Sequence, residues 1–172
     1  GDRRVSRIVV ERLDDSDVSA VAWNAYVEAH ADATIYHLHA WRHIFERSFG
    51  YRPWLLVARA DADRTICGVL PLYRVQGLFG RRLVSVPFRD RGGLLWSTPE
   101  AFQALVAEAR KIVREAGASS VTLKTITPYP RQLAESASLR EHQHWIHSAV
   151  DLRGLTADAM WQRIGDKNRN MV

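Results

Sequence analysis

The densest chemistry in the chain lies between Thr65 and Trp96, where Arg74, Arg81, Arg82, Arg89 and Arg91 stand against the single Asp90 just ahead of Gly92-Gly93. Guanidinium groups hold phosphates and carboxylates through charge-assisted, often paired hydrogen bonds, and paired glycines let backbone come close to a ligand. That combination describes an anion-binding corner, and it equally describes a solvated basic turn. Arg42, Arg89 and Arg91 are the candidates for gripping a diphosphate or carboxylate. Asp90 reads in two ways: a general base, or a structural carboxylate paired with its arginine neighbours. Those neighbours lower its pKa and weaken it as a base.

Other chemistries find less support. His39 and His43 have the i, i+4 spacing of two metal ligands on one helix face, but Ala40 stands where a metalloprotease needs its Glu, so two exposed histidines are expected. His142 and His144 fall on one face of an alternating segment and His147 on the other, with no cysteine or carboxylate completing a metal set. No Gly-x-Ser-x-Gly elbow is present. The lone Cys67 sits in an apolar run and reads as a small buried hydrophobe, which with the absence of a leader favours the cytoplasm. Most of the six tryptophans fall on apolar faces, with Trp41 and Trp161 as the expected exceptions.

The elements that must position these residues follow from periodicity. Val5 to Leu13 reads as a strand. Asp14-Asp15-Ser16 then supplies capping chemistry for a helix whose stripe is Val18, Val21, Ala22, Ala25, Tyr26 and Ala29. A second helix carries Leu38, Trp41, Ile44, Phe45, Ser48 and Phe49 on one face and ends at Gly50. Strands are expected over Pro53–Ala60, Thr65–Tyr73 and Arg81–Val86. Next comes a helix opened by Pro99, with Ser97 and Glu100 at capping-box spacing and a stripe from Phe102 to Ala116, closed by Gly117. Val121–Ile126 reads as a strand, Pro130–Ser138 as a short helix, Gln143–Leu152 as a strand, and Thr156 onward as a helix. The sum is an α/β (α+β) protein: β-α-α-β-β-β-α-β-α-β-α, a mixed central sheet with helices on both faces.

Composition sets outer limits. The 172 residues are 47% hydrophobic and 25% charged, enough for one domain with a real core. No segment approaches the ~20 apolar residues of a membrane span. The net charge of +5 invites an anionic partner: a nucleic acid, a phosphate-bearing substrate or an acidic membrane face met peripherally. The arginines are scattered rather than confined to one helix face, which speaks against a reader of duplex DNA.

The element order matches the GNAT acetyltransferase fold. Within it, a finer set of motifs resembles the FemAB-like family. These are Trp23-x-x-Tyr26-Val27, Tyr36-His37-x-x-x-Trp41, Phe49-Gly50-Tyr51, Gly68-Val69-Leu70-Pro71-Leu72, the run from Phe79-Gly80-Arg81 to Pro87-Phe88, Gly92-Gly93, and the tail Trp161-x-x-Ile164-x-x-Lys167-x-Arg169-Asn170. The resemblance implies a peptidyltransferase of two tandem GNAT-like domains, with residues 1–154 as the first and 155–172 as the start of the connecting helix. It implies an amide formed on an anionic cell-wall (peptidoglycan) or exopolysaccharide-related precursor, with aminoacyl-tRNA or acyl-CoA as co-substrate and no resident cofactor in this chain. Trp41, Arg42, Arg89, Arg91, Gly92, Gly93, Lys167 and Arg169 become the substrate-binding set, and Asp90 the catalytic candidate. Acetyl-CoA enzymes of the fold cradle the pyrophosphate in an Arg/Gln-x-x-Gly-x-Gly/Ala loop that opens a helix. Arg74-Val75-Gln76-Gly77-Leu78-Phe79 nearly fits, but Phe79 blocks the last position and a strand follows. An acetyl-CoA-dependent N-acetyltransferase and a carbohydrate- or partner-binding module remain the alternatives.

Overall fold

A computed structural model of the chain describes residues 7–13, 17–78, 80–88, 91–125, 127–142 and 153–163. The expected caps at 14–16, the expected strand over 143–152, and Arg89, Asp90, Lys167 and Arg169 lie outside these. Residues 1–142 form one compact unit and 143–172 another.

In the first unit the elements are β1 (Ile8–Arg12), α1 (Asp17–Ala29), a 3-10 turn (Ile35–His37), α2 (Trp41–Phe49), β2 (Arg52–Ala60), β3 (Ile66–Gly77), β4 (Gly80–Val84), β5 (Leu95–Trp96), α3 (Pro99–Glu115), β6 (Val121–Thr122) and α4 (Arg131–Ser136). In the second, α5 spans Ala157–Arg163 and leaves Trp161 exposed. The sheet runs β1-β2-β3-β4-β6, with β5 also beside β3; all pairs are antiparallel except β4 with β6. This is the mixed sheet that the periodicity predicts.

Both faces of the sheet are covered, which is why β2 reads as an unbroken apolar run. Trp54, Leu56, Leu70, Leu72 and Leu83 meet Phe102, Leu105 and Ile112 of α3 on one face. Leu55, Val57, Val69 and Leu95 meet Trp23 and Val27 of α1 on the other. The α3 stripe is the expected one, but its N-cap is Thr98 and not Ser97: the Thr98 side chain accepts from the Ala101 N–H. The α1 stripe is rotated from the expected face, leaving Val21 70% exposed. Trp23 carries far more apolar area than the alanines of the predicted stripe. Its burial sets the helix's rotation, and its indole N–H reaches the His37 carbonyl at 2.6 Å.

One interruption in the sheet ladder shapes the site. Tyr73 pairs with Val84 of β4 and Val69 with Leu95 of β5, so residues 70–72 have no ladder partner on that edge, and Ser85 to Phe88 and Arg91 to Leu94 leave the sheet. The Cys67 carbonyl accepts from Ser97 on this side. Strand alternation therefore turns the backbone of Val69, Pro71 and Tyr73 the same way. Pro71 has no N–H to offer there, and a proline inside a strand is tolerated where the ladder is broken. The excursion that carries the twin glycines is thus anchored in the Gly68-Val69-Leu70-Pro71-Leu72 motif. The two-residue β5 escaped sequence reading, and the strand expected over 121–126 stops at Thr122 because β4 diverges after Val84.

Candidate functional site

The excursion lands against α2. Gly50 ends that helix in the left-handed conformation (φ +64°), with its N–H bonded to the Phe45 and Glu46 carbonyls. The sharp exit brings Tyr51 back onto Phe49, ring centroids 5.6 Å apart and nearly parallel. Phe88, at the start of the bend, closes on Phe49 at 4.9 Å. The rings continue inward from Phe45 to Tyr73 at 4.7 Å, and along α2 through Trp41 to Tyr36 at 5.5 and 5.2 Å. Trp41, Ile44, Phe45, Ser48, Phe49 and Phe88 line an open groove of about 570 Å³.

Only Phe45 of the α2 stripe is fully inserted; Ile44, Phe49 and Phe88 are 43%, 49% and 61% exposed. Phe88 also holds φ +60°, a left-handed conformation that costs a side chain with a Cβ about 1–2 kcal/mol. A strained, exposed aromatic ring beside other exposed rings is the pattern of a surface kept for a ligand. Arg42 brings charge to the helix: its side chain is 15% exposed and its Nε lies 4.0 Å from Glu46. Burial raises the Tyr73 pKa, while the nearby Arg42 charge works against that rise.

The glycines do something other than admit a ligand. A Cβ on Gly92, whose φ is +143°, falls 2.1 Å from Val86 Cγ2, and one on Gly93 falls 2.5 Å from the Tyr129 hydroxyl and 2.6 Å from the Lys124 carbonyl. The close approach is to the chain's own core. Of the predicted site residues, Gly92 and Trp41 share a neighbour in Tyr36, whose Cβ is 3.6 Å from a Cβ on Gly92 and whose ring meets Trp41.

His37, part of a resemblance motif but given no role in sequence reading, sits in the same place. Its Nδ1 accepts from the Thr34 N–H at 3.0 Å, which places the proton of the neutral ring on Nε2. That Nε2 turns toward the Gly93 backbone without closing a hydrogen bond of normal geometry. Burial pushes the pKa of His37 down to about 4, with His30 contributing in the same direction. His39, expected on the surface, is buried: its N–H bonds Asn24 Oδ1 at 2.9 Å, and its ring meets His43 edge-on at 5.9 Å. Among the described residues no three histidines, cysteines or carboxylates are grouped to hold a metal. Cys67 is buried as expected; its thiol donates to the Ala58 carbonyl, and burial raises its pKa.

Across the interruption, on the α3 side, the space is filled. Where β4 and β6 part, Ser85 Oγ accepts from Lys124 N–H. The Tyr129 hydroxyl accepts from Leu94 N–H at 2.9 Å, and its ring packs on Trp96 and Phe102. Burial lifts the Tyr129 pKa to about 12. The helix N-terminus beside this gap caps itself through Thr98, has Pro99 at its first turn and carries Glu100 there. Arg74 to Leu78, the near match to a pyrophosphate loop, forms the end of β3 and a tight hairpin turn.

No family model and no curated protein matches the chain. Solved structures do. An aminoglycoside acetyltransferase from an uncultured soil metagenomic sample aligns at TM-score 0.56 and 14% identity over 84% of this chain and 98% of that one. Glucosamine-6-phosphate N-acetyltransferase from Arabidopsis thaliana aligns at 0.54 and 14% over 84% and 99%. Ribosomal-protein-alanine N-acetyltransferase from Brucella melitensis biovar Abortus 2308 aligns at 0.51 and 16% over 84% and 98%. Sheet order, helix placement and these alignments agree: the chain has the GNAT acetyltransferase fold.

Proposed function

We propose that this chain is the acceptor-binding, amino-terminal unit of a FemAB-like acyl- or aminoacyltransferase, which forms an amide on an anionic cell-wall or polysaccharide-related precursor. One observation carries the reading. Four of the motifs behind the resemblance lie apart in sequence between Tyr36 and Gly93, yet Trp41, Phe49 and Phe88 line a single groove, with Tyr36 against Trp41 and Gly92, and Tyr51 against Phe49 and Phe88. In this reading the rings take the apolar part of the acceptor, and Arg42, Arg89 and Arg91 hold its anionic part; Lys167 and Arg169 do the same toward a second domain.

The reaction makes one C–N bond and breaks the C–O bond of an aminoacyl ester or the C–S bond of a thioester. The amine proton ends on the departing alcohol or thiol. Alignment of the two substrates and stabilisation of the oxyanion supply much of the rate. Asp90 is the carboxylate of the bend and the candidate to relay that proton.

An acetyl-CoA-dependent N-acetyltransferase is the second reading, favoured by the shared fold of the acetyltransferases above. Against CoA binding in this unit stand the Tyr129-filled gap and the self-capped, Glu100-bearing start of α3. Calorimetry separates the two. Titration with a nucleotide-linked cell-wall precursor should give saturable binding that Arg42→Ala and Arg91→Ala each weaken about tenfold, as expected for a lost charge-assisted hydrogen bond. Saturable acetyl-CoA binding with no binding of precursors would favour the second reading.

A further inference from the structure

The β3–β4 hairpin outruns both neighbours. β2 begins at Arg52 opposite Arg74, and the chain before β6 reaches β4 only as far as Arg81, whose carbonyl accepts from the Ser119 N–H, so Val75 to Gly80 project from the sheet end. At the tip, Leu78 is 99% exposed. Arginines surround it on both faces. Arg74 and Arg81 lie on one face, with Arg52 directly across from Arg74, and Arg82 lies on the other, across from Val75. The Arg52 guanidinium is held 4.9 Å over the Trp54 ring, and Arg81 Nε donates to Gln76 Oε1. No Asp or Glu occurs from Thr65 to Phe88. Among the described residues no carboxylate pairs with Arg52, Arg74, Arg81 or Arg82.

Like charges facing each other across strands repel, and a wholly exposed leucine gains nothing from the fold. Neither the facing charges nor the exposed leucine stabilises the fold. We infer that this hairpin docks on an anionic lipid surface, with Leu78 entering the headgroup boundary and Arg52, Arg74, Arg81 and Arg82 meeting lipid phosphates. The charge complementarity is with a plane: arginines on both faces of one apolar tip suit insertion. A nucleic acid strand is instead tracked by a basic groove with stacking rings along it.

The test is cosedimentation of the whole chain with vesicles of mixed phosphatidylglycerol and phosphatidylcholine, and with vesicles of phosphatidylcholine alone. Binding is expected to the first and not the second, and to weaken with added salt. The double change Arg81→Gln, Arg82→Gln should lower the partition coefficient about 25-fold, at about fivefold per arginine near a charged membrane surface. Leu78→Ser should lower it about tenfold, the scale of burying one leucine. Circular dichroism and thermal melting verify that each variant folds. Equal binding to both vesicle types would overturn the inference, and so would an undiminished Leu78→Ser variant. Capture of bulk tRNA with indifference to vesicles would also overturn it.

Discussion

Two regions flank the broken edge of β3, and they dispose of their polar atoms and aromatic rings in opposite ways. On the α3 side, Tyr129, Trp96 and Phe102 pack edge to face, the Leu94 N–H is satisfied by Tyr129, and Lys124 is tied to Ser85. On the α2 side, Phe49 and Phe88 stay about half exposed and Phe88 keeps a left-handed backbone. A chain able to close one gap so completely has the means to close the other. The α2 groove is therefore where a ligand is expected, and the α3 side is where stability resides.

The hinge between the two regions is the glycine pair, and the largest effect is expected there. Gly92→Ala combines overpacking against Val86 with strain at φ +143°. Together these should cost about 4 kcal/mol. Urea denaturation measures it; a loss under about 1 kcal/mol would mean the bend is loose and the two regions are not mechanically separate.

A second break is by pH. His37 titrates in the folded chain at about 4, below the ordinary histidine value of 6.5. Between those values the unfolded chain holds the proton and the folded chain does not, so stability falls as pH drops from 6.5 to 4 and is flat above that window. The span corresponds to about 3 kcal/mol. Glu11, Glu108 and Glu115, whose pKa values are lowered from 4.5, begin to lose their share as pH falls through that value, overlapping only the bottom of the His37 window. His37→Gln should flatten the upper window alone. An unchanged profile would place the titrating group elsewhere.

How much of this the sequence disclosed depends on where the deciding contact lies. α3 was legible because its stripe, Pro99 and Gly117 are all local signals. Its cap was misplaced by one residue because Ser97 and Thr98 offer the same hydroxyl chemistry. β5 was invisible: two residues have no period, and their partners are Gly68 and Val69. The glycines were recognised as sites of close approach, but composition cannot say what approaches, and here it is Val86, Lys124 and Tyr129. His39 looked like half of an exposed pair because i, i+4 spacing reports only a shared face, not which way that face turns. The aromatic residues of the groove were each visible, and only the fold brings residues 36 to 88 together.

On the filled side, Tyr129→Phe removes the partner of the Leu94 N–H and keeps the packing. Stability should fall by about 1–2 kcal/mol, the cost of leaving a buried donor unsatisfied. Precursor affinity should stay the same. An affinity loss of similar size would show that ligand binding reaches across the interruption, and the division into two regions would fail.

The smallest stability effect belongs to the change expected to matter most for binding. In Phe88→Gly, relief of the left-handed strain returns about 1 kcal/mol. The lost ring contacts with Phe49 and Tyr51 take back about 0.5–1.5 kcal/mol. The melting temperature should therefore barely move, while precursor binding in the groove falls about tenfold with the loss of an exposed ring. Strain retained at no benefit to folding needs another beneficiary, and the opposite signs for Tyr129→Phe and Phe88→Gly, one moving stability and the other affinity, identify it. If Phe88→Gly instead unfolded the chain and left binding intact in whatever remained folded, Phe88 would be a packing residue and the groove a by-product of the bend.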